Sequence, residues 1–495
     1  QLVVALYSLV FAGLLFTSGA LGDRFGRKGA LQLGFVLFLA GAGMATLSHS
    51  MWQLIACRGV MGAGAAFIMP STLSILINVF SPRERPKAIA IWASIVGAAG
   101  AMGPVASGYL LGHFWWGSVF FINVPVIVLA LISGHFLVPR SVDPQQSRLD
   151  LVGGLLSALG IVALVYALIQ APDQGWLAAP SLAAFGVAGL GLAAFVAWEA
   201  RRSEPMLDMG FFRNPAFSTG VGGMILVFLA LYGVIFLLTQ YFQLVVNYSA
   251  LSAAVRMLPI AVIMLVVSPQ TPRLSQRFGA HRTVAAGMVL LGVGLLAFAA
   301  VGTHANYPYV LACLVPVVAG MALSMSPMTA SIMSAVPPRR AGAGSAMNDA
   351  TRELGAAFGV AVLGSLAASR YGSQVGHLVA GLPHAAQGPA RTSLAAALQT
   401  AGTLPKAAGA HLAAGANSAF VSGFHLAVVV GAVLSLLSAV IVARYLPHQL
   451  TAGEAVVEIV DLEETPVEEP VLEPVLEPVL ELVLLDAVAE SDLAS

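Results

Sequence analysis

The sequence predicts an all-α polytopic membrane protein made of two duplicated six-helix bundles with two extra helices between them. Four observations carry that prediction. Apolar stretches of about 20 residues, each long enough to cross a bilayer as a helix, recur along nearly the whole chain. Only 9% of the 495 residues are charged, against roughly a quarter in soluble domains. Lys and Arg fall in alternate loops, and a short loop motif returns about 253 positions after its first appearance.

Length and hydropathy place spans at 2–21, 30–48, 52–79, 87–111, 117–138, 150–170, 179–198, 216–240, 251–271, 283–302, 307–335, 342–368 and 420–445, thirteen in all. The distribution of positive charge tests the count, because basic residues concentrate in cytoplasmic loops. One set of loops holds Arg24, Arg27, Lys28, Arg83, Arg85, Lys87, Arg140, Arg148, Arg201, Arg202, Arg213, Arg273, Arg277, Arg282, Arg339, Arg340 and Arg444. The other set holds only Arg370, Arg391 and Lys406, all in one long loop, and Arg58, Arg256 and Arg352 lie within spans. A miscounted helix would scramble this alternation. The loop around Gly22–Gly29 is therefore cytoplasmic, as is the C-terminal tail.

The chain opens on Gln1 inside an apolar run, with no basic leader before it. This reads as an N-terminally truncated bundle lacking its first helix, and one more helix would bring the count to fourteen. The expected domains are 1–138 (first bundle), 139–215 (two inserted linker helices), 216–445 (second bundle, with an outer loop at 369–419) and 446–495 (tail). Thirteen of the 23 acidic residues lie in that tail, which repeats EPVL at Glu473 and Glu477 and varies it at Glu481. Its prolines and acids predict a disordered, solvated cytoplasmic segment. Cys57 and Cys313 sit in apolar runs and read as small buried residues rather than a disulfide.

The duplication shows in three places. LGDRFGRK (Leu21–Lys28) is echoed by LSQRFGAH (Leu274–His281), IACRG (Ile55–Gly59) by LACLV (Leu311–Val315), and SPRER (Ser81–Arg85) by PPRRA (Pro337–Ala341). The offset stays between 253 and 256 throughout. Parallel repeats of this kind occur in secondary transporters, which hold substrate near the midplane between the halves.

Together these features resemble the major facilitator superfamily, and within it the fourteen-helix drug:proton antiporters. The superfamily's loop motif is met at Gly19, Leu21, Asp23, Arg24, Gly26, Arg27, Lys28 and Leu31. Its fourth-helix motif is met at Arg58, Gly62, Gly64, Ala65 and Ala66. The antiporter motif of the fifth helix is met at Gly100, Gly103, Pro104 and Gly108, with Ala99 and Ser107 in place of two glycines. NDATRELG (Asn348–Gly355) looks like the eleventh-helix signature of these exporters. The resemblance implies proton-coupled efflux of hydrophobic or amphiphilic drugs by alternating access, with no cofactor beyond the proton gradient. It also implies that Arg58 takes part in proton coupling and that a membrane-embedded Asp belongs to the first helix.

The residues themselves support specific expectations. Gly97, Gly100 and Gly108 remove bulk around a proline-kinked helix, so that another helix can approach closely and seal a cavity; generic tight packing would look the same. Arg58 lies about two turns inside its span, where a charge needs a cavity or a partner. Arg256 snorkels from the end of its span. Asp349 and Glu353 share a helix face with Arg352 beside them, which suits either coupling or a structural pair. Asp23 and Glu84, the only acids before Asp143, read as loop residues, so the first bundle lacks an embedded carboxylate and the chain alone is expected to fail at proton-coupled transport. Asp23 is expected to cap a helix end or pair with an Arg near Asp349–Glu353, acting as a gate, while Gln276 makes the second copy a relic.

The expected partners are a small drug-like substrate, protons and the lipid bilayer, with no nucleic acid, no metal and a monomeric state. Neither a nucleophile motif nor a phosphate-binding glycine loop suggests an enzyme. Export of a native metabolite, lipid precursor or siderophore stays open, as does a transporter-derived sensor or scaffold using the acidic tail.

Overall fold

A computed structural model describes residues 2–139, 150–304, 306–379 and 384–447. The first bundle comprises α1 (Leu2–Phe25), α2 (Arg27–Thr46), α3 (Met51–Val79), α4 (Arg85–His113), a short α5 (Ser118–Phe121) and α6 (Asn123–Leu137). The inserted pair is α7 (Leu151–Gln174) and α8 (Ala179–Glu199). The second bundle begins with α9 (Pro215–Gln240), α10 (Ala250–Met257), α11 (Pro259–Val267) and α12 (Thr271–Phe278). It continues with α13 (Ala280–Phe298), α14 (Tyr307–Ser334), α15 (Ala341–Phe358) and α16 (Gly364–Leu378). The short α17 (His384–Thr392) and α18 (Leu394–Thr403) precede a long α19 (Lys406–Tyr445). Arg140, Arg148 and the acidic tail with its EPVL repeat lie outside the described residues.

Among the described residues, thirteen helical stretches are long and apolar enough to cross a membrane, matching the thirteen spans read from the sequence. Hydropathy sees a span but not its breaks. The span expected at 251–271 is jointed, because Pro259 begins a new helix and a 3-10 turn follows at Ser268–Gln270. The helix expected at 342–368 runs from Ala341 to Leu378 through a π-helical turn at Gly359–Leu363. The outer loop is largely helical, and α19 absorbs its second part. At 40 residues α19 is about 60 Å long, twice the apolar thickness of a bilayer, so one end stands clear of it.

The duplication is built into the packing. In the first half, a β-carbon on Gly64 of α3 would sit 2.6 Å from the Phe38 nitrogen and 2.7 Å from the Gly34 oxygen of α2. In the second half, Gly320 of α14 meets the Leu291 nitrogen and the Gly287 oxygen of α13 in the same way. Gly34, Phe38 and Gly64 correspond to Gly287, Leu291 and Gly320 at the repeat offsets. Gly41 and Gly294 match too: a β-carbon on either would lie 3.0 Å from the backbone carbonyl oxygen of Cys57 or Cys313, and both cysteines are buried and free. Such backbone-to-backbone contact admits no side chain. Gly320→Ala is therefore expected to destabilise the protein by about 1–3 kcal/mol, the usual range for overpacking. Thermal unfolding in detergent measures it, and an unchanged melting temperature would refute the backbone contact.

The turn of the repeat is conserved in conformation as well. Gly26 (φ 109°) and Gly279 (φ 89°) are two of three positive-φ glycines among the described residues, and they occupy equivalent positions. No side chain adopts that backbone readily, so both loops turn on glycine. Arg24 lies over Phe25 at 5.2 Å and Arg277 over Phe278 at 5.3 Å. The largest apolar core fills the second bundle around Phe228, Tyr241, Phe298 and Phe424. A smaller one joins α1, α3, α7 and α15 through Phe11, Leu15, Ile161 and Ala346.

Candidate functional site

At the arginine-rich end, the two bundles meet through the first loop motif. Helix α1 runs on to Phe25, so Asp23 lies in its last turn, buried at 6% exposure, and not in a loop. Its carboxylate accepts from the Gly342 amide at 3.1 Å (Oδ1) and 2.9 Å (Oδ2). Gly342 is in the first turn of α15, where amides lack intrahelical partners and the helix dipole favours negative charge. Asp23 thus caps a helix of the opposite bundle. The Arg27 Nε donates to Asp23 Oδ1 at 2.9 Å. Arg27 Nη2 bridges to the carbonyl oxygens of Pro338 at 2.9 Å and Arg339 at 3.3 Å.

The helix-end alternative for Asp23 is therefore realised, and the pairing with an arginine near Asp349–Glu353 is not. Arg27 is one turn away on the same chain segment and reaches the carboxylate first. Gly19 completes the junction: a β-carbon there would lie 2.6 Å from the Gly342 oxygen. Arg24 and Lys28 stay outside it. Lys28 donates to the His135 carbonyl of α6, tying α2 to its neighbour.

The fourth-helix motif packs on α1 and α2 of its own bundle, while its Ala65 and Ala66 join the core shared with α7 and α15. Arg58 is half-buried and stands over the Tyr7 ring of α1 at 4.4 Å. Gly62 faces the Tyr7 carbonyl oxygen, 2.6 Å from where a β-carbon would be, while Gly64 faces α2. On α4 the close packing expected at Gly97, Gly100 and Gly108 holds at two positions and fails at Gly100. Gly97 faces Met264 of α11, and a β-carbon on Gly108 would lie 3.1 Å from the Leu251 Cα of α10. Nothing lies within 4 Å of a β-carbon on Gly100 or Gly103, and both are exposed together with Pro104. Gly97 and Gly108 are three turns apart and share a face, whereas Gly100 and Gly103 turn progressively away from it. Helix α4 also continues unbroken through Pro104.

On α15 the three charged residues separate into two environments. Asp349 is buried and pairs with Arg352 at 3.5 Å. Arg352 is sandwiched between the rings of Trp92 of α4 (5.5 Å) and Phe228 of α9 (5.1 Å). Glu353 instead hydrogen-bonds Ser8 of α1 and faces a cavity of about 950 Å3. That cavity lies at the end opposite the Asp23 junction. Both bundles and α7 line it, through Ala5 and Ser8, through Val165, Leu168 and Asp173, and through Tyr232, Phe236 and Glu353. Its walls are apolar and aromatic with a few convergent polar groups, the composition of small-molecule sites. Arg256 does not line it: it stacks on Tyr248 at 3.9 Å and donates to the Ser252 carbonyl oxygen at 3.1 Å.

Sequence reasoning missed α7. As one of a surplus pair it reads as a linker, yet it packs on α1, where Gly13 meets Val162 and Gly154 meets Thr17. The Trp176 Nε1 that follows α7 donates to Ser365 of α16 at 3.0 Å. The available signal was Asp173, an acid at the end of an otherwise apolar span.

Known proteins share this architecture. The model of the Major Facilitator Superfamily matches residues 1–360. The chain is 35% identical over 441 residues to the multidrug efflux pump LfrA of Mycolicibacterium smegmatis, covering 89% of this chain and 87% of that protein. It is 32% identical over 444 residues to the tetracenomycin C resistance and export protein of Streptomyces glaucescens, covering 88% and 82%. Among solved structures, the human organic anion transporter MFSD10 (TETRAN) superposes with a TM-score of 0.58 at 14% identity, over 89% of this chain and 83% of that one. This last likeness is one of fold.

Proposed function

The chain belongs to the Major Facilitator Superfamily, a multi-pass membrane transporter and not an enzyme, and from that premise we propose that it exports hydrophobic or amphiphilic drugs by proton-coupled alternating access. The observation that carries this reading is the polarity of the bundle along its axis. At the arginine-rich end, assigned to the cytoplasm by the positive-inside rule, the halves are tied by Asp23, Arg27 and Gly342. At the other end, a cavity of about 950 Å3 opens between the same halves and holds Glu353. This is the arrangement of an outward-facing carrier, in which the cytoplasmic contacts must break for the cavity to face inward.

Each group then has a chemical task. The aromatic and aliphatic walls take an amphiphile's apolar body, since a site with few fixed polar groups accepts many shapes. Glu353 is a titratable group inside the membrane that both substrate and proton can reach. Asp349 lies one turn before it on α15, and its partner Arg352, the adjacent residue, links the carboxylate's helix to α4 and α9. The relatives named for multidrug efflux and for tetracenomycin C resistance support drug export over a native metabolite.

The test is transport by the full-length protein in proteoliposomes with an imposed pH gradient and a panel of amphiphilic dyes. Accumulation is expected only while the gradient lasts. Accumulation that persists after the gradient is collapsed would contradict proton coupling, and inertness to every compound would contradict drug export.

A further inference from the structure

The duplication allows the Asp23 junction to be compared with its second copy. At the 253-residue offset, Gly19, Asp23 and Arg27 correspond to Pro272, Gln276 and Ala280. At the 256-residue offset, Pro338, Arg339 and Gly342 correspond to Pro82, Arg83 and Pro86. Every polar contact of the first junction is thereby removed from the second. Gln276 carries no negative charge, Ala280 has no guanidinium, and Pro86 has no N–H to donate. In place of a closed junction, all six equivalent residues line a cavity of about 510 Å3 between the bundles.

The chemistry of this cavity is lopsided. Arg83, Arg85 and Arg277 form its more exposed rim, and no Asp or Glu lines it among the described residues. Arg85 spends its Nε on the Phe80 carbonyl oxygen at 3.1 Å. The acid of the same loop, Glu84, accepts from the Ser81 hydroxyl at 2.6 Å and the Ser81 amide at 3.3 Å. Those bonds hold its carboxyl below the usual range and keep it on its own turn. The Ser275 hydroxyl oxygen is buried with no partner and belongs to the same lining. Beneath the rim the floor is apolar, with Ile77, Ile89 and Met333.

We propose that this cavity binds the phosphate of an anionic amphiphile, a phospholipid headgroup whose chain lies along the apolar floor. Guanidinium groups match phosphate geometry, and the cytoplasmic leaflet supplies anionic headgroups at this depth. The apolar floor selects a lipid over free phosphate, which has nothing to bury there. The bound phosphate supplies from outside the chain the negative charge that Asp23 supplies within it. Both copies of the motif then clasp the two bundles at the same end, one with a carboxylate and one with a lipid.

Binding is measured without transport, so the result does not depend on the drug-export reading. Purified full-length protein is placed in phosphatidylcholine nanodiscs doped with phosphatidylglycerol, and retained phosphatidylglycerol is counted by native mass spectrometry. The wild type is expected to retain the anionic lipid, and the double variant Arg83→Ala/Arg277→Ala to lose about tenfold or more in apparent affinity. Gln276→Asp, which sets a carboxylate among the arginines, is expected to lose lipid as well, and it decides the matter if the double variant does not fold. Arg282→Ala, on the same face but outside the cavity, should retain lipid as the wild type does. Retention unchanged in both Gln276→Asp and the double variant overturns the site. An equal loss in Arg282→Ala overturns it too, because the effect would then be diffuse surface charge. Displacement of phosphatidylglycerol by millimolar inorganic phosphate overturns the headgroup assignment in favour of the free ion.

Discussion

Asp23→Asn is expected to lower substrate turnover at least about tenfold while leaving membrane insertion and yield intact. Asparagine keeps the shape and one acceptor oxygen but loses the charge that both Arg27 and the Gly342 amide use. Hydrogen bonds to a charged group contribute about 1.5–3 kcal/mol net, and each 1.4 kcal/mol is tenfold in a population. The loss falls on the conformation with the cytoplasmic end closed, so the cycle should stall with that end open. A charge swap, Asp23→Arg with Arg27→Asp, separates two versions of the idea. A plain ion pair would be restored by it. A helix cap would not, because an arginine facing the first turn of α15 meets the positive end of the helix dipole. The cap predicts no rescue. Wild-type turnover in Asp23→Asn proteoliposomes would sink the gate altogether.

The second large effect belongs to Glu353. Glu353→Gln is expected to abolish gradient-driven accumulation, a fall of about a hundredfold or more, as for loss of a group that carries the transferred proton. Exchange of substrate across the membrane at equal pH should survive, because glutamine still reaches Ser8 and leaves the cavity's apolar walls untouched. The split between the two assays distinguishes coupling from binding. A variant that loses exchange as well would assign Glu353 to the substrate, and one that accumulates normally would move coupling elsewhere. Asp349→Asn serves as the contrast. Asp349 faces Arg352 and not the cavity, so its loss leaves a buried guanidinium without its partner and is expected to reduce folded yield before it alters coupling.

These expectations differ in how far the chain alone could have supplied them. The Asp23 motif is conspicuous in the sequence because four charges crowd into six residues of an oily chain. Its partner is not, since Gly342 is an ordinary residue of an Ala/Gly-rich stretch 319 positions away. Reading Asp23 as a loop acid failed because α1 extends to Phe25 before Gly26 turns the chain. The antiporter motif shows the reverse error. Small residues permit close approach, but only the rotation of α4 against α10 and α11 determines that Gly97 and Gly108 are used for it.

The sequence by itself determined the all-helical membrane fold, the thirteen spans, the duplicated halves and the position of the charged turns. All of these follow from local composition, because burial in lipid constrains each apolar stretch independently of its neighbours. Only the tertiary structure decided that Asp23 caps α15, that Glu353 faces a cavity while Asp349 does not, that α7 walls that cavity, and that the second motif leaves a basic hollow. Those facts depend on how two bundles pack face to face. Residues hundreds of positions apart meet there through shape and charge that no local pattern encodes.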